Sequence, residues 1–140
     1  MNRIEINRER LGVETYLKLL DRKNKYVSYD ILNHELLVNK NVIARLFPLD
    51  HSFFLKLLIN PNSIQTYEVL LEALFFKNGD TLKNSNKFVK EAMISAFRQC
   101  ASRVRSNLRF ADTSLPAIVQ TIRETGYIYI AHPSIQRTSK

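Results

Sequence analysis

Residues 88–108 read FVKEAMISAFRQCASRVRSNL, which is the most regular pattern of apolar and polar side chains in the chain. Apolar side chains recur in it every three or four residues, which is the spacing of one buried face of an α-helix. These side chains are Phe88, Ala92, Met93, Ala96, Phe97, Cys100, Ala101, Val104 and Leu108. The pattern predicts a long helix that begins between Asn84 and Lys87 and ends near Leu108. Because Cys100 falls on the apolar face, we interpret it as a small buried hydrophobic residue and not as a nucleophile.

The opposite face of the predicted helix is polar and basic. Its residues are Ser95, Arg98, Gln99, Ser102, Arg103, Arg105 and Arg109. No Asp or Glu lies between residues 95 and 109, whereas ordinary surface helices include acids that form ion pairs. Arg can bond guanine edges or phosphates with two parallel hydrogen bonds, and Gln and Ser can bond bases or backbone. The face is therefore interpreted as a DNA-contacting surface, with a solvated helix face as the alternative.

Two shorter helices are predicted before the long one. Pro48 and Asp50 open a helix that continues through Ile59, and Asp50 is expected to act as its cap or as a partner of its dipole. Thr66 is a favourable N-cap for a second helix, which runs through Phe76.

Short apolar segments on either side of the helices indicate strands. Residues 26–32, 35–38 and 42–47 are separated by Asn-containing turns, which predicts an antiparallel β-meander. Residues 117–122 and 127–131 surround a short turn and predict a C-terminal hairpin.

The two ends of the chain are expected to lie outside the domain. Residues 8–22 place four apolar side chains at helical spacing, which predicts a short amphipathic helix in an N-terminal extension, residues 1–25. The four are Val13, Tyr16, Leu17 and Leu20. Residues 26–131 then form the domain, and the polar tail, residues 132–140, is expected to fray.

The positive charge is concentrated in the C-terminal part of the chain. The 140 residues carry a formal net charge of +8. Residues 1–80 hold 11 basic and 10 acidic side chains, whereas residues 81–140 hold 10 basic and 3 acidic ones. A polyanionic partner is implied, with nucleic acid first and an anionic membrane surface second. Because the basic residues do not flank a continuous apolar face, lipid binding is the weaker alternative.

Several classes of chemistry find no support in the sequence. Its one cysteine excludes an internal disulfide and a Cys-rich zinc site, and its three glycines cannot form a phosphate-binding loop. His34, His51 and His132 show no paired spacing with carboxylates or cysteines. We therefore expect no enzymatic activity, no cofactor and no metal. The charged N-terminus and the short apolar runs predict a cytoplasmic location.

The order of the elements predicts the architecture. Strands, two helices, a long helix and a hairpin describe an α+β winged helix-turn-helix, with an N-terminal antiparallel sheet, a three-helix core and a C-terminal β-hairpin wing. The wing offers Thr121, Arg123 and Tyr127 as further DNA contacts. An Arg at a hairpin tip can enter the minor groove, where negative potential is focused.

Four motifs resemble the DNA-binding domain of OmpR/PhoB-type winged-helix regulators. Residues 101–108, ASRVRSNL, resemble the recognition-helix signature ISRLRRKL, and residues 119–127, VQTIRETGY, resemble the wing motif IxTVRGxGY. Residues 66–71 resemble the second-helix pattern SRExLL, with Phe75 near the position of its terminal Trp. Leu46 and Asp50 match the LTxxE opening of the first helix. The resemblance covers residues 26–131.

This resemblance implies a four-stranded N-terminal sheet, a recognition helix in the major groove and a wing on the minor groove or backbone. It assigns two groups of residues to DNA-contacting positions, Ser102, Arg103 and Arg105 on the helix and Thr121, Arg123 and Tyr127 on the wing. It also matches Cys100 to a position that contacts DNA in some members, which conflicts with the expected burial of this residue.

Three departures refine the resemblance. Glu124 stands where the response regulators have Gly, and ToxR-like regulators also lack that Gly. Residues 1–25 are too few for a receiver domain, so the chain resembles the ToxR-like proteins more closely. The stretch from residue 76 to residue 101 is longer than the family needs, so either the third helix is extended or the loop before it is enlarged, and that loop is where family members meet RNA polymerase.

The sequence thus predicts a transcription regulator that binds specific double-stranded DNA. RNA polymerase and a second copy of the chain on DNA are expected as further partners, and a continuation past Lys140 would allow a membrane anchor. The alternative is a protein-interaction adaptor that keeps the fold without binding DNA. Glu124 in the wing and the longer segment before the third helix favour that alternative.

Overall fold

A four-stranded antiparallel sheet begins the fold in the computed structural model, which describes residues 15–75 and 87–136. The strands are β1 (Tyr16–Arg22), β2 (Lys25–Asp30), β3 (Glu35–Val38) and β4 (Asn41–Arg45), in the spatial order β1-β2-β3-β4. The meander predicted from residues 26–47 and the four strands implied by the resemblance are both confirmed. Asn39 closes the β3–β4 turn with φ 50°, and its side-chain oxygen accepts a hydrogen bond from the Tyr26 N–H at 2.8 Å.

Strand β1 replaces the helix that was predicted over residues 8–22, so that prediction is wrong for residues 16–22. The pairing of β1 with β2 shifts register between Lys18 and Leu20, and both Leu19 and Leu20 are fully buried. A bulge of this kind interrupts the alternation of a strand and leaves a spacing that resembles a helix. Residues 16–22 therefore belong to the sheet and not to an N-terminal extension.

Three helices follow at the predicted positions: α1 (Pro48–Leu58), α2 (Tyr67–Leu74) and α3 (Lys87–Ala111), the last ending three residues beyond Leu108. Thr66 caps α2 as predicted, because its hydroxyl accepts a hydrogen bond from the Val69 N–H at 3.2 Å. None of the helices within the described residues combines the length and apolar character that a membrane span requires.

The C-terminal hairpin is also confirmed. A 3₁₀-helix (Leu115–Ile118) leads into β6 (Val119–Ile122), and β7 (Gly126–Tyr129) returns beside it. Strand β7 also pairs with β5 (Gln65–Thr66), which gives a three-stranded sheet in the order β5-β7-β6. The wing is thereby attached to the start of α2.

Fraying of the tail is not observed in its first part. A short helix, α4 (Pro133–Gln136), packs against β1. The Ser134 side chain is buried, and its hydroxyl accepts a hydrogen bond from the Asp21 N–H at 3.5 Å. Residues 137–140 of the predicted tail lie outside the described residues.

The core confirms the apolar face of α3 from Phe97 onward, whereas Ala92, which the same pattern predicts to be buried, is exposed. Phe97, Cys100 and Val104 are at most 1% exposed. Phe97 stacks on Phe53 of α1, with the ring centroids 6.3 Å apart. The predicted burial of Cys100 is correct, and burial raises the pKa of its thiol to about 12, so the thiol is held in its unreactive protonated form.

A carboxylate after α3 joins the β1–β2 hairpin to the end of this helix. Asp112 accepts bonds from Arg22 and Lys25, the latter at 3.2 Å, and from the Ser114 hydroxyl. Burial alone would raise the pKa of Asp112, but the hydrogen bonds from Ser114 and Lys25 and the charge of Arg22 lower it to about 2. This network fixes the C-terminal end of α3 relative to the sheet.

A buried polar cluster lies between α1 and the sheet. The Tyr29 hydroxyl is 2.6 Å from Nδ1 of His51, and the His51 ring stacks on that of His34 with centroids 3.5 Å apart. His51 is 3% exposed, and its Nε2 has no hydrogen-bond partner among the described residues. Burial, and then the charge of His34, lower the pKa of His51 to about 3.

Acidification is therefore expected to destabilise the protein through His51. The unfolded chain binds a proton near the ordinary His pKa of 6.5, whereas the folded chain resists protonation down to about 3. The contribution of His51 to stability is present at neutral pH and is lost as the pH falls from 6.5 towards 3, by about 3 kcal/mol at about pH 4. Urea unfolding measured across this range checks the prediction. His51→Gln removes the titration and should flatten the pH dependence; an equally steep dependence in this variant would contradict the assignment.

Candidate nucleic-acid interface

The outer face of α3 presents most of its predicted polar side chains to solvent. Because the apolar face is anchored on α1 and the rest of the core, the opposite face points away from the protein. Arg98, Gln99, Ser102 and Arg109 are exposed, and Ser95 is half-buried. The four exposed side chains form no hydrogen bond or ion pair with any other residue that the structure describes. They are available to an external partner.

Arg103 is bonded to another residue of the protein instead, although its side chain is partly exposed. Its Nε and Nη2 donate to the two carboxylate oxygens of Asp50 at 2.8 and 2.9 Å, which is the paired geometry that Arg and carboxylate favour. Its guanidinium carbon also lies 5.8 Å from the centroid of the Phe47 ring. The Asp50 side chain is 1% exposed and that of Arg103 is 41% exposed. The pair therefore joins α1 to α3.

Asp50 does not cap α1, so of the two roles predicted for it the cap is wrong and the partner of the helix dipole is retained. It lies in the first turn of the helix, where the N-cap residue Phe47 makes no side-chain capping bond. The carboxylate turns towards α3 because a buried acid requires a charged or hydrogen-bonding partner, and Arg103 provides one.

Arg105 links α3 to the wing. Its Nε donates to the Val119 carbonyl at 2.9 Å, and its Nη2 donates to the Thr121 hydroxyl at 2.7 Å. Both acceptors belong to β6. Two of the predicted site residues, Arg105 and Thr121, thus bond to each other across the gap between helix and wing.

The wing tip carries Arg123 and Glu124 on its surface. Both are exposed, and Glu124 adopts φ 59°, the left-handed conformation that glycine normally occupies in such turns. The turn is closed by a hydrogen bond from the Thr125 N–H to the Ile122 carbonyl at 2.9 Å. The glycine missing from the wing motif is therefore replaced without loss of the turn.

Tyr127 lies in the core and not on the surface. It is 1% exposed, and its ring packs edge-on against Phe53 at a centroid distance of 5.1 Å. Burial raises the pKa of its hydroxyl. The Tyr127 side chain, which the sequence predicts as a DNA contact, therefore has almost no exposed surface with which to meet DNA.

An open groove of about 660 Å³ separates α3 from the wing. It is lined by Tyr67, Glu91, Ile94, Arg98, Thr121, Arg123 and Glu124. One cation comes from the helix, Arg98, and one from the wing, Arg123. Residues 76–86, where the sequence predicts that an enlarged loop would meet RNA polymerase, lie outside the described residues.

No family model and no curated protein matches the chain. Among solved structures, it is similar to the Klebsiella pneumoniae RstA DNA-binding domain in complex with the RstA box, with a TM-score of 0.51 and 20% identity over 81% of this chain and 97% of that chain. A structure of the C-terminal DNA-binding domain of RstA from the same organism gives a TM-score of 0.49 and 19% identity, over 81% of this chain and 94% of that chain. The chain therefore has the α+β winged helix-turn-helix fold that the order of its elements predicts.

Proposed function

We propose that this chain is a transcription regulator that binds specific sequences of double-stranded DNA, with α3 in the major groove and the wing on the minor groove or backbone. The observation that carries the proposal is the outer face of α3, where exposed Arg98, Gln99 and Ser102 bond no other described residue. The solved structure of similar fold supports it, because the RstA DNA-binding domain was determined in complex with the RstA box.

The residues divide into contacts and supports. Gln99 and Ser102 are suited to base edges, since Gln pairs with adenine and Ser bonds to several bases. Arg98 and Arg123 supply charge for phosphates on the two walls of the groove, and Ser95 extends the face towards the N-terminus of α3. Arg103 is assigned as a support, since Nε and Nη2 of its guanidinium already bond Asp50.

Loss of either groove cation should weaken DNA binding and reduce its salt dependence. Each phosphate contact contributes a slope of about −0.9 to log K against log salt, so Arg98→Ala or Arg123→Ala should make the slope shallower by about 1. Fluorescence anisotropy with duplexes selected from genomic fragments measures both quantities.

Lys23→Ala is the matched control, because Lys23 is an exposed cation in the β1–β2 turn, away from the groove. It should leave the slope almost unchanged. If all three variants show the same slope as the unaltered chain, the groove does not hold the DNA backbone.

A second candidate is a protein-interaction adaptor that does not bind DNA. It is favoured by Glu91 and Glu124, which line the same groove as the two arginines and balance their charge. The same titration separates the two functions, since an adaptor would bind no duplex even at low salt. RNA polymerase and a second copy on DNA stay predictions.

A further inference from the structure

The charge of Arg105 suggests a contact with DNA phosphates, but its hydrogen bonds to the wing point to a structural role. We propose that Arg105 is a positioning residue, which fixes the wing against α3 so that Arg123 and Arg98 face the same DNA backbone. The effect of Arg105 on DNA binding rests on the proposed function. Its effect on the position of the wing can be measured in the protein without DNA.

The geometry uses the fixed shape of the guanidinium group. Nε and Nη2 of Arg105 bond two acceptors on one strand, the Val119 carbonyl and the Thr121 hydroxyl, at 2.9 and 2.7 Å. Arg presents its donors in a rigid planar fork, whereas the Lys ammonium is a single flexible point of charge. Lysine at this position would keep the charge and lose the paired bonds.

The place of β6 in the sheet makes this link important. The sheet order is β5-β7-β6, so β6 is an edge strand whose only strand neighbour among the described residues is β7. Strand β7 is itself attached to β5 through only two residue pairs, Gln65 with Tyr127 and Thr66 with Gly126. Arg105 supplies the side-chain bonds that tie the outer strand directly to α3.

The same strand leads to the proposed DNA contact. Arg123 follows Thr121 by two residues and lines the groove opposite Arg98. Because Thr121 is bonded to α3 through Arg105, the position of Arg123 relative to Arg98 depends on Arg105. A wing released from the helix would present its cation in many orientations and would lose most of its contribution to binding.

Hydrogen exchange of the isolated protein tests the positioning. Arg105→Ala should raise the exchange of the amides in β6 and β7 by about 10-fold while the amides of α1 keep their protection. Arg105→Lys should not restore protection. Arg109→Ala, on the same helix and without bonds to other described residues, should leave the wing unchanged. If wing exchange in Arg105→Ala equals that of the unaltered protein, the inference is overturned.

A double-mutant cycle on DNA tests the consequence. Arg123→Ala should weaken binding by about 5- to 10-fold in the unaltered protein but by less than about twofold in the Arg105→Ala background. If Arg123→Ala weakens binding by the same factor in both backgrounds, the two residues act independently. That result would overturn the inference and make Arg105 a separate DNA contact. If the unaltered protein binds no duplex, the proposed function fails, and the exchange experiment still decides the positioning role.

Discussion

Gly126→Ala is expected to detach the wing from the start of α2 and to lower the free energy of unfolding by about 3 kcal/mol. A Cβ atom at this position would lie 2.1 Å from the Gln65 carbonyl oxygen and 2.8 Å from Cα of Thr66. Both are backbone atoms of β5, and no side-chain rotation relieves the overlap. The β5–β7 pairing must therefore open, and the groove between wing and helix opens with it.

Urea unfolding measures the loss of stability caused by Gly126→Ala, and DNA titration measures the effect of the opened groove on binding. Thr125→Ala is the matched control, because Thr125 is the exposed neighbour of Gly126 and its side chain makes only a local bond to the Arg123 carbonyl. The control should change stability by less than about 1 kcal/mol. A Gly126→Ala protein as stable as the control would contradict the close approach of β7 to β5.

The pair formed by Asp50 and Arg103 should respond asymmetrically to mutation. Arg103→Met leaves the carboxylate of Asp50, which is 1% exposed, without a partner, and should cost about 3 kcal/mol of stability. Asp50→Asn should cost less, because the Arg103 side chain is 41% exposed and can regain water. The combined variant should recover much of the loss, since no buried charge is left unpaired.

Chemical unfolding of the three variants decides whether Arg103 is a support or a reader of bases. A structural role predicts that Arg103→Met lowers stability and that Asp50→Asn in the same chain partly restores it. If Arg103→Met keeps full stability and loses only DNA affinity, Arg103 contacts DNA directly and its assignment as a support is wrong.

Elements in which apolar side chains recur at a regular, uninterrupted spacing were predictable from the sequence. The apolar side chains of α3 keep a spacing of three or four residues over the whole described helix, and burial of Phe97 and Val104 follows from that spacing. Strand β1 was not predictable in this way. Its bulge between Lys18 and Leu20 turns two consecutive leucines inward, and its identity depends on pairing with β2.

The parts of the candidate site that depend only on position along one helix were predictable from the sequence. Exposure of Arg98 and Gln99 follows from their place on the helix face, opposite the apolar residues. The partner of Arg103 lies 53 residues away in the sequence, and those of Arg105 lie 14 and 16 residues away. Whether these arginines bond other residues therefore depends on tertiary structure. One signal was present in the sequence: Asp50 is an acid in the otherwise largely apolar helix PLDHSFFLKLL, and a buried acid requires a partner.

Amide chemical shifts that map a bound duplex onto the protein would show whether α3 and the wing contact DNA. A short mixed-sequence duplex is added to the labelled protein at low salt, where binding through phosphates is strongest. We predict that the largest shifts fall on the outer face of α3, at Arg98, Gln99 and Ser102, and on the wing tip at Arg123. Shifts confined to the four-stranded sheet, or no shifts at any duplex concentration, would contradict DNA binding through α3 and the wing.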